Sequence, residues 1–324
     1  MEKRVNRVPL TLNRSPWDVN MYLLDHGDSL TLIDAGFRPE ESLPPLAKAL
    51  DDLGYGPDRI DRILVTHHHS DHTGLIKHLT ERRKIPVYIH PSGIPHLLRD
   101  ERMHEMRMEF FGRLYRESGC GDAGERHLEV LRAKWEASRE YTPPADCIVP
   151  IREGDRIPGL ESVRILEMPG HSFDSVVFFD PRERWLFSGD HLIRHISTNA
   201  LVEPDGEGRR RPVWEIYRRS LRRAAEIGAD VVYSGHGEPF SGHRELIEHR
   251  LRRMIEKSDR VADLLAERPM SPYEVARTVY EHALQNEFYF VMSEVSGMLD
   301  FLEAAGKVSK RMENGVWIYT ADRR

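Results

Sequence analysis

Residues 66 to 74 read THHHSDHTG, which places His67, His68, His69, Asp71 and His72 within six consecutive positions. Imidazole nitrogens and carboxylate oxygens are the usual donors to zinc and related divalent cations. The stretch directly follows the apolar run RILV and feeds an amphipathic segment, so it is read as a strand end turning into a helix. One metal does not readily accept four donors crowded into six consecutive positions, whereas two metals a few Å apart do. His67 and His69 then serve one ion and Asp71 and His72 the other, with the remaining donors supplied by distant parts of the chain.

Those donors have a recognisable context. MPGHS offers His171, FSGDH offers Asp190 and YSGHG offers His236; each follows a glycine and closes an apolar run. Runs of the same kind, NMYLLD, SLTLID, RILV, VRILE, SVVFFD, WLFSG and VVYS, alternate with amphipathic stretches such as 40–53 and 71–82. Strands alternating with helices predict a layered α/β domain whose strand ends hold loop-borne functional groups.

HxHxDH followed by a later His, Asp and His resembles the metallo-β-lactamase superfamily, and more narrowly its binuclear, glyoxalase II-like branch. The likeness covers about residues 5 to 240 with every ligand position filled. It implies an αββα sandwich holding two divalent ions, zinc first, with manganese or iron also accepted by such donors. Carried over position by position, His67, His69 and His171 hold one ion, Asp71, His72 and His236 the other, and Asp190 bridges them. Asp71 and Asp190 then act in catalysis with a metal-bridging hydroxide. His68 is expected to turn away, and His191 to support the ligands.

Two segments interrupt the pattern. Residues 96–141 read as a charged helical insert, with Met103, Met106, Phe110 and Leu114 on one face and Leu128, Leu131 and Trp135 on another. Met103, Met106 and Phe110 are taken as apolar substrate contacts, and Arg194, His195 and Asn199, after Asp190, as polar ones. Arg209, Arg210 and Arg211 are read as a solvated charge run. A linking helix is expected over 241–267. From 268 to 324, a Ser271-Pro272 helix start, a second helix over 292–305 and a hairpin turning at Asn314-Gly315 predict a small winged-helix-like module. The domain reading is therefore 1–240 catalytic, 241–267 linking and 268–324 terminal.

The totals narrow the function. A formal charge of −6 argues against a protein built to bind nucleic acid, and residues 268–324 carry seven Lys or Arg against eight Asp or Glu. No apolar run reaches the ~20 residues of a membrane span. The charged N-terminus and two cysteines outside any CxxC spacing, Cys120 and Cys147, fit a cytoplasmic protein. The expected activity is hydrolysis of a small acyl ester, thioester or lactone with a hydrophobic portion, the terminal module serving packing or homodimer formation. The alternative is a phosphodiesterase or endoribonuclease of the winged-helix lactamase-like type.

Overall fold

The structure is a computed structural model, and it describes residues 4–11, 18–56 and 58–322. Strands β1 (Arg4–Leu10), β2 (Val19–Asp25) and β3 (Leu30–Ile33) lead into helix α1 (Pro39–Asp52). After β4 (Ile60–Leu64) come α2 (Ser70–Thr73), α3 (Ile76–Arg82), β5 (Val87–Ile89) and the one-turn α4 (Ile94–Leu97). Helices α5 (Glu101–Glu117) and α6 (Asp122–Ser138) precede β6 (Ile148–Pro150), β7 (Arg164–Glu167), β8 (Val176–Asp180) and β9 (Trp185–Gly189). Next come α7 (Val213–Ala225), β10 (Val231–Ser234) and α8 (His243–Glu267). The chain closes with α9 (Pro272–Val279), α10 (Glu281–Asn286), α11 (Phe288–Ala304) and the pair β11 (Val308–Glu313) and β12 (Val316–Ala321).

Two compact units emerge. The first comprises Met1–Asp100, Ser138–Thr198 and Arg223–Leu246. It holds a six-stranded sheet ordered β1-β2-β3-β4-β5-β6 and a four-stranded sheet ordered β10-β9-β8-β7. Because side chains alternate along a strand, Tyr22 and Leu24 of β2 point into one apolar layer and Met21 and Leu23 into another. The first layer joins Tyr22, Ile33 and Leu64 to Ile165, Phe178 and Phe187 of the smaller sheet, so the two sheets pack face to face. The second joins Leu23, Leu32 and Ile63 to Leu46, Leu50, Ile76 and Leu79 of α1 and α3. Burial on both faces is why β2 and β3 read as continuous apolar runs rather than alternating ones. This is the metallo-β-lactamase type of sandwich expected from the sequence.

The helix expected over 71–82 is broken at Gly74 and Leu75. The Gly74 amide donates to the Gly36 carbonyl at 2.8 Å, and a Cβ on Gly74 would lie 1.7 Å from the Phe37 oxygen. This backbone approach ends α2 and fixes the turn that carries the histidines.

The second unit comprises Glu101–Ala137, Asn199–Arg222 and Ile247–Arg324. Where the sequence reading drew boundaries at 240 and 268, the insert helices α5 and α6 group with the C-terminal helices instead. Aromatic packing explains this: Phe111 meets Tyr289 edge-on at 5.6 Å, Tyr115 meets Phe288 at 5.2 Å, and Trp317 Nε1 donates to Glu117 at 3.1 Å. Helix α11 is buried from Val291 to Leu299 without interruption, and Trp214 lies so close to Gly297 that a Cβ there would sit 2.1 Å from its ring. The helix is apolar nearly all round and forms the centre of this unit. Ser271 opens α9 with a capping box completed by Glu274, and the hairpin turns at Asn314 and Gly315, both at positive φ.

Candidate metal centre

Strand ends bring the donors together. β9 and β10 run parallel with Ser234 opposite Gly189, and the Gly235 amide donates to the Gly189 carbonyl at 2.9 Å, so Asp190 and His236 emerge side by side. His67 follows β4, His171 follows β7, and the Val176 amide donates to the Thr66 carbonyl at 2.9 Å, tying the two sheets together beside the site. Gly235 is required by closeness: a Cβ there would lie 2.3 Å from Asp190 Oδ1 and 2.7 Å from His72 Cε1.

All seven side chains predicted as ligands converge. His67 Nε2 and His171 Nε2 each lie 3.0 Å from His69 Nδ1. Asp71 Oδ2 lies 3.7 Å from His72 Nε2 and 3.4 Å from His236 Nε2. Asp190 stands between the two sets, with Oδ1 3.4 Å from His72 Nε2, and Oδ2 3.6 Å from His171 Nε2 and 3.2 Å from His236 Nε2. Ligands about 2.1 Å from a tetrahedral zinc are roughly 3.4 Å from one another, and these spacings fall around that value. Three nitrogens facing one point do not satisfy each other, and His72 Nε2 and Asp190 Oδ1 are buried without a hydrogen-bond partner among the described residues. A cation fits this donor set.

The outer hydrogen bonds fix which nitrogen of each ring is available. Asp34 accepts from the Thr66 amide, the Thr66 hydroxyl and His72 Nδ1, each at 2.8 Å. Having given its proton to Asp34, the Thr66 hydroxyl oxygen accepts from His67 Nδ1 at 3.1 Å. Both Nε2 atoms are thereby left with their lone pairs toward the cluster. Asn20 Nδ2 and the Tyr22 hydroxyl both donate to the Ser234 carbonyl, at 2.9 and 2.7 Å, and Asn20 Nδ2 also reaches the Gly237 carbonyl, pinning the loop that carries His236.

Electrostatics follow from burial and these carboxylates. Burial pushes His67 and His69 well below the ordinary imidazole range. Burial also opposes charge on His72, but Asp190, Asp34 and Asp71 raise it well above that range, and His236 is raised to about 10 by Asp190 and Asp71. Asp71 and Asp190 are held below the usual carboxylate range against their own burial by His72 and His236. The negative field that retains protons on these rings is the field a dication would neutralise.

His68 directs its Nδ1 to buried Asp174 at 2.8 Å, while its ring lies edge-on to His69 at 4.9 Å and stacks on His96 at 3.9 Å. His191 is buried. Arg194 and His195 are exposed, and a Cβ on Gly237 would come within 3.4 Å of the His195 ring. The other substrate candidates belong to the second unit: Asn199 and Met103 are half-buried, Met106 lies near Gly208, and Phe110 is buried against Phe111. Arg209 and Arg210, read as a solvated run, pair with Asp205 at 2.9 Å and Asp300 at 2.7 Å. Asp34, Asn20 and Tyr22 escaped the sequence reading. For Asp34 a signal existed, since DAG closes an apolar strand just as the ligand-bearing runs end on Asp or His.

Known proteins resemble this chain in sequence and in fold. The chain is 32% identical over 311 residues, covering 94% of both chains, to the probable metallo-hydrolase YqjP of Bacillus subtilis (strain 168). It is 23% identical over 305 residues to an atrochrysone carboxyl ACP thioesterase of Pseudocercospora fijiensis (strain CIRAD86), covering 92% of this chain and 73% of that protein. In fold it is similar to the metallo-beta-lactamase family protein TTHA1429 of Thermus thermophilus, with a TM-score of 0.81 and 23% identity over 98% of each chain. The profile of the metallo-beta-lactamase superfamily matches residues 14–236. The chain belongs to that superfamily, and it is a metal-dependent hydrolase.

Proposed function

We propose that this protein holds two divalent ions and hydrolyses an acyl ester, thioester or lactone with a hydrophobic portion. The observation that carries the reading is the position of Asp190, whose carboxylate lies within 3.6 Å of His171 from the first predicted donor set and of His72 and His236 from the second. A carboxylate so placed suits two cations better than one. His67, His69 and His171 would hold the first ion and Asp71, His72 and His236 the second. When bound, such ions polarise a carbonyl oxygen and lower the pKa of water so that hydroxide is available at neutral pH.

The chain's own residues do the rest. Asp34 and Thr66 hold His72 and His67 in the tautomers that present Nε2. Asp71, with its side chain 28% exposed, is the ligand-set carboxylate that solvent reaches most readily, and it would orient the attacking water by accepting a hydrogen bond from it. Buried His67 and His72 keep the opposite wall dry, which strengthens every charge interaction there.

Support for the acyl substrate comes from similarity to the thioesterase. The phosphodiester alternative has little to stand on, because the helix that would serve as a recognition helix is buried and carries Glu294, Asp300 and Glu303. The test is metal-quantified protein assayed in parallel on a thioester, a lactone, a β-lactam and bis(p-nitrophenyl) phosphate. Acyl substrates should be turned over fastest. A phosphodiester in first place would overturn the reading.

A further inference from the structure

The second unit has an open pocket of about 680 Å³ between α6 and the α9–α11 segment, within the roughly 300–1,000 Å³ typical of small-molecule sites, with Arg126, Arg268, Arg277 and Glu281 exposed at its rim. Its lining sorts by chemistry. Tyr273, Leu284 and Phe288 with the His127 ring give an apolar and aromatic wall. Around them stand three arginines, Arg126, Arg268 and Arg277, and two carboxylates, Glu274 and Glu281.

The two signs of charge are not equally committed. Glu274 completes the capping box at Ser271, accepting the Ser271 amide at 2.8 Å, and it pairs with Arg268 at 3.4 Å. Arg126 and Arg277 have no ion-pair partner among the described residues, which leaves two guanidinium groups against Glu281. A guanidinium offers five fixed donors that match a carboxylate in pairs. Burial lowers His127 to about 4, so its ring is neutral near pH 7 and belongs with the apolar wall rather than with the arginines.

The wall behind the cavity is also incomplete in hydrogen bonding. Tyr115 meets both His127 and Phe288 edge-on, at 5.8 and 5.2 Å. Its hydroxyl and His127 Nε2 are both buried with no hydrogen-bond partner among the described residues.

We infer that this cavity binds a small amphipathic carboxylate, with its apolar body against Tyr273, Leu284 and Phe288 and its carboxylate held by Arg126 and Arg277. The site is separate from the ligand set of the metal centre and does not depend on the hydrolytic reading.

The test uses the full-length, metal-loaded protein and the fluorescent probe 11-(dansylamino)undecanoate, displaced by dodecanoate or by uncharged dodecanol. Saturable one-to-one binding is expected, with dodecanoate displacing the probe at least tenfold more effectively than dodecanol. The double substitution Arg126→Glu with Arg277→Glu should weaken binding at least tenfold, whereas Arg252→Glu, an exposed change elsewhere, should leave it unaltered. Should the double variant fail to fold, Thr278→Trp, which adds bulk at the rim, must abolish binding. Absent saturation, equal displacement by dodecanoate and dodecanol, or equal weakening by Arg252→Glu would each overturn the inference.

Discussion

His72 Nδ1 donates to Asp34 Oδ2 at 2.8 Å, and Asp34 makes this bond from a backbone position with φ of 58°, a left-handed conformation that few non-glycine residues adopt. Strain of this kind persists when surrounding bonds over-determine it, and the Asp34 carboxylate accepts three. The residue acts on the metal centre through His72 and His67.

Asp34→Asn separates charge from shape, because asparagine tolerates the left-handed region. Metal affinity should fall roughly 10–100-fold, the usual effect of removing a partner behind a ligand, with little change in stability. Asp34→Ala should add a backbone penalty of about 1 kcal/mol. Competitive zinc titration and urea melts measure the two effects, and an Asp34→Asn protein with native affinity would refute the role.

Asp190→Ala removes both oxygens that face the two donor sets. Metal content measured on the folded protein should fall from the proposed two ions to one or fewer, and turnover should drop by more than about 10⁴-fold, beyond the loss of a single acid–base group. Exhaustive chelation of the unmodified protein should likewise abolish activity, and zinc or manganese should restore it. Full activity in metal-free protein would end the hydrolase scheme.

Gly235→Ala tests closeness rather than chemistry. Its methyl would sit 2.3 Å from Asp190 Oδ1, so either the carboxylate or the His236 loop must move. We expect one ion to be lost and overpacking to cost about 1–3 kcal/mol. Stoichiometry by elemental analysis decides; a two-metal Gly235→Ala protein would show that the loop yields.

Much of this site was legible because ligand chemistry restricts residue type. His67, His69, Asp71, His72, His171, Asp190 and His236 stood out where the backbone alone would not have marked them. Local signals served as well for Ser271 with Glu274 and for Asn314-Gly315, since caps and tight turns are set by neighbours in sequence. What escaped depends on distant packing. Asn20 and Tyr22 are ordinary strand residues until the Ser234 carbonyl is placed beside them. Short β5 and β6 carry three residues each, too few to show a period. The grouping of α5 and α6 with the C-terminal helices rests on pairs such as Phe111 and Tyr289, which are 178 positions apart in the chain (289 minus 111).

Gly297→Ala should expose how tightly the second unit is packed. The added carbon meets the Trp214 ring at 2.1 Å, and overpacking of this kind costs about 1–3 kcal/mol. The urea midpoint should shift at unchanged slope. No shift would mean that Trp214 moves freely.

His127 predicts a pH dependence with a definite sign. Its imidazole sits near 6.5 in the unfolded chain and at about 4 in the folded one, because burial disfavours the charged form. Between these values the unfolded chain binds more protons, so stability rises with pH and is lost as pH falls from about 7 toward 4. Partial solvent exposure limits the contribution to about 2 kcal/mol at most. His127→Gln should flatten that part of the stability profile, and an unchanged slope would contradict the assignment.

The bonds from Asn20 and Tyr22 to the segment around His236 carry a temporal consequence. Residues made earlier in synthesis clasp a predicted ligand made more than two hundred positions later, so the centre cannot close until that segment has left the ribosome. Metal capture would then report completion of the whole sandwich, and loosening the second strand, whose Val19 pairs with His236, would release ions from the cluster.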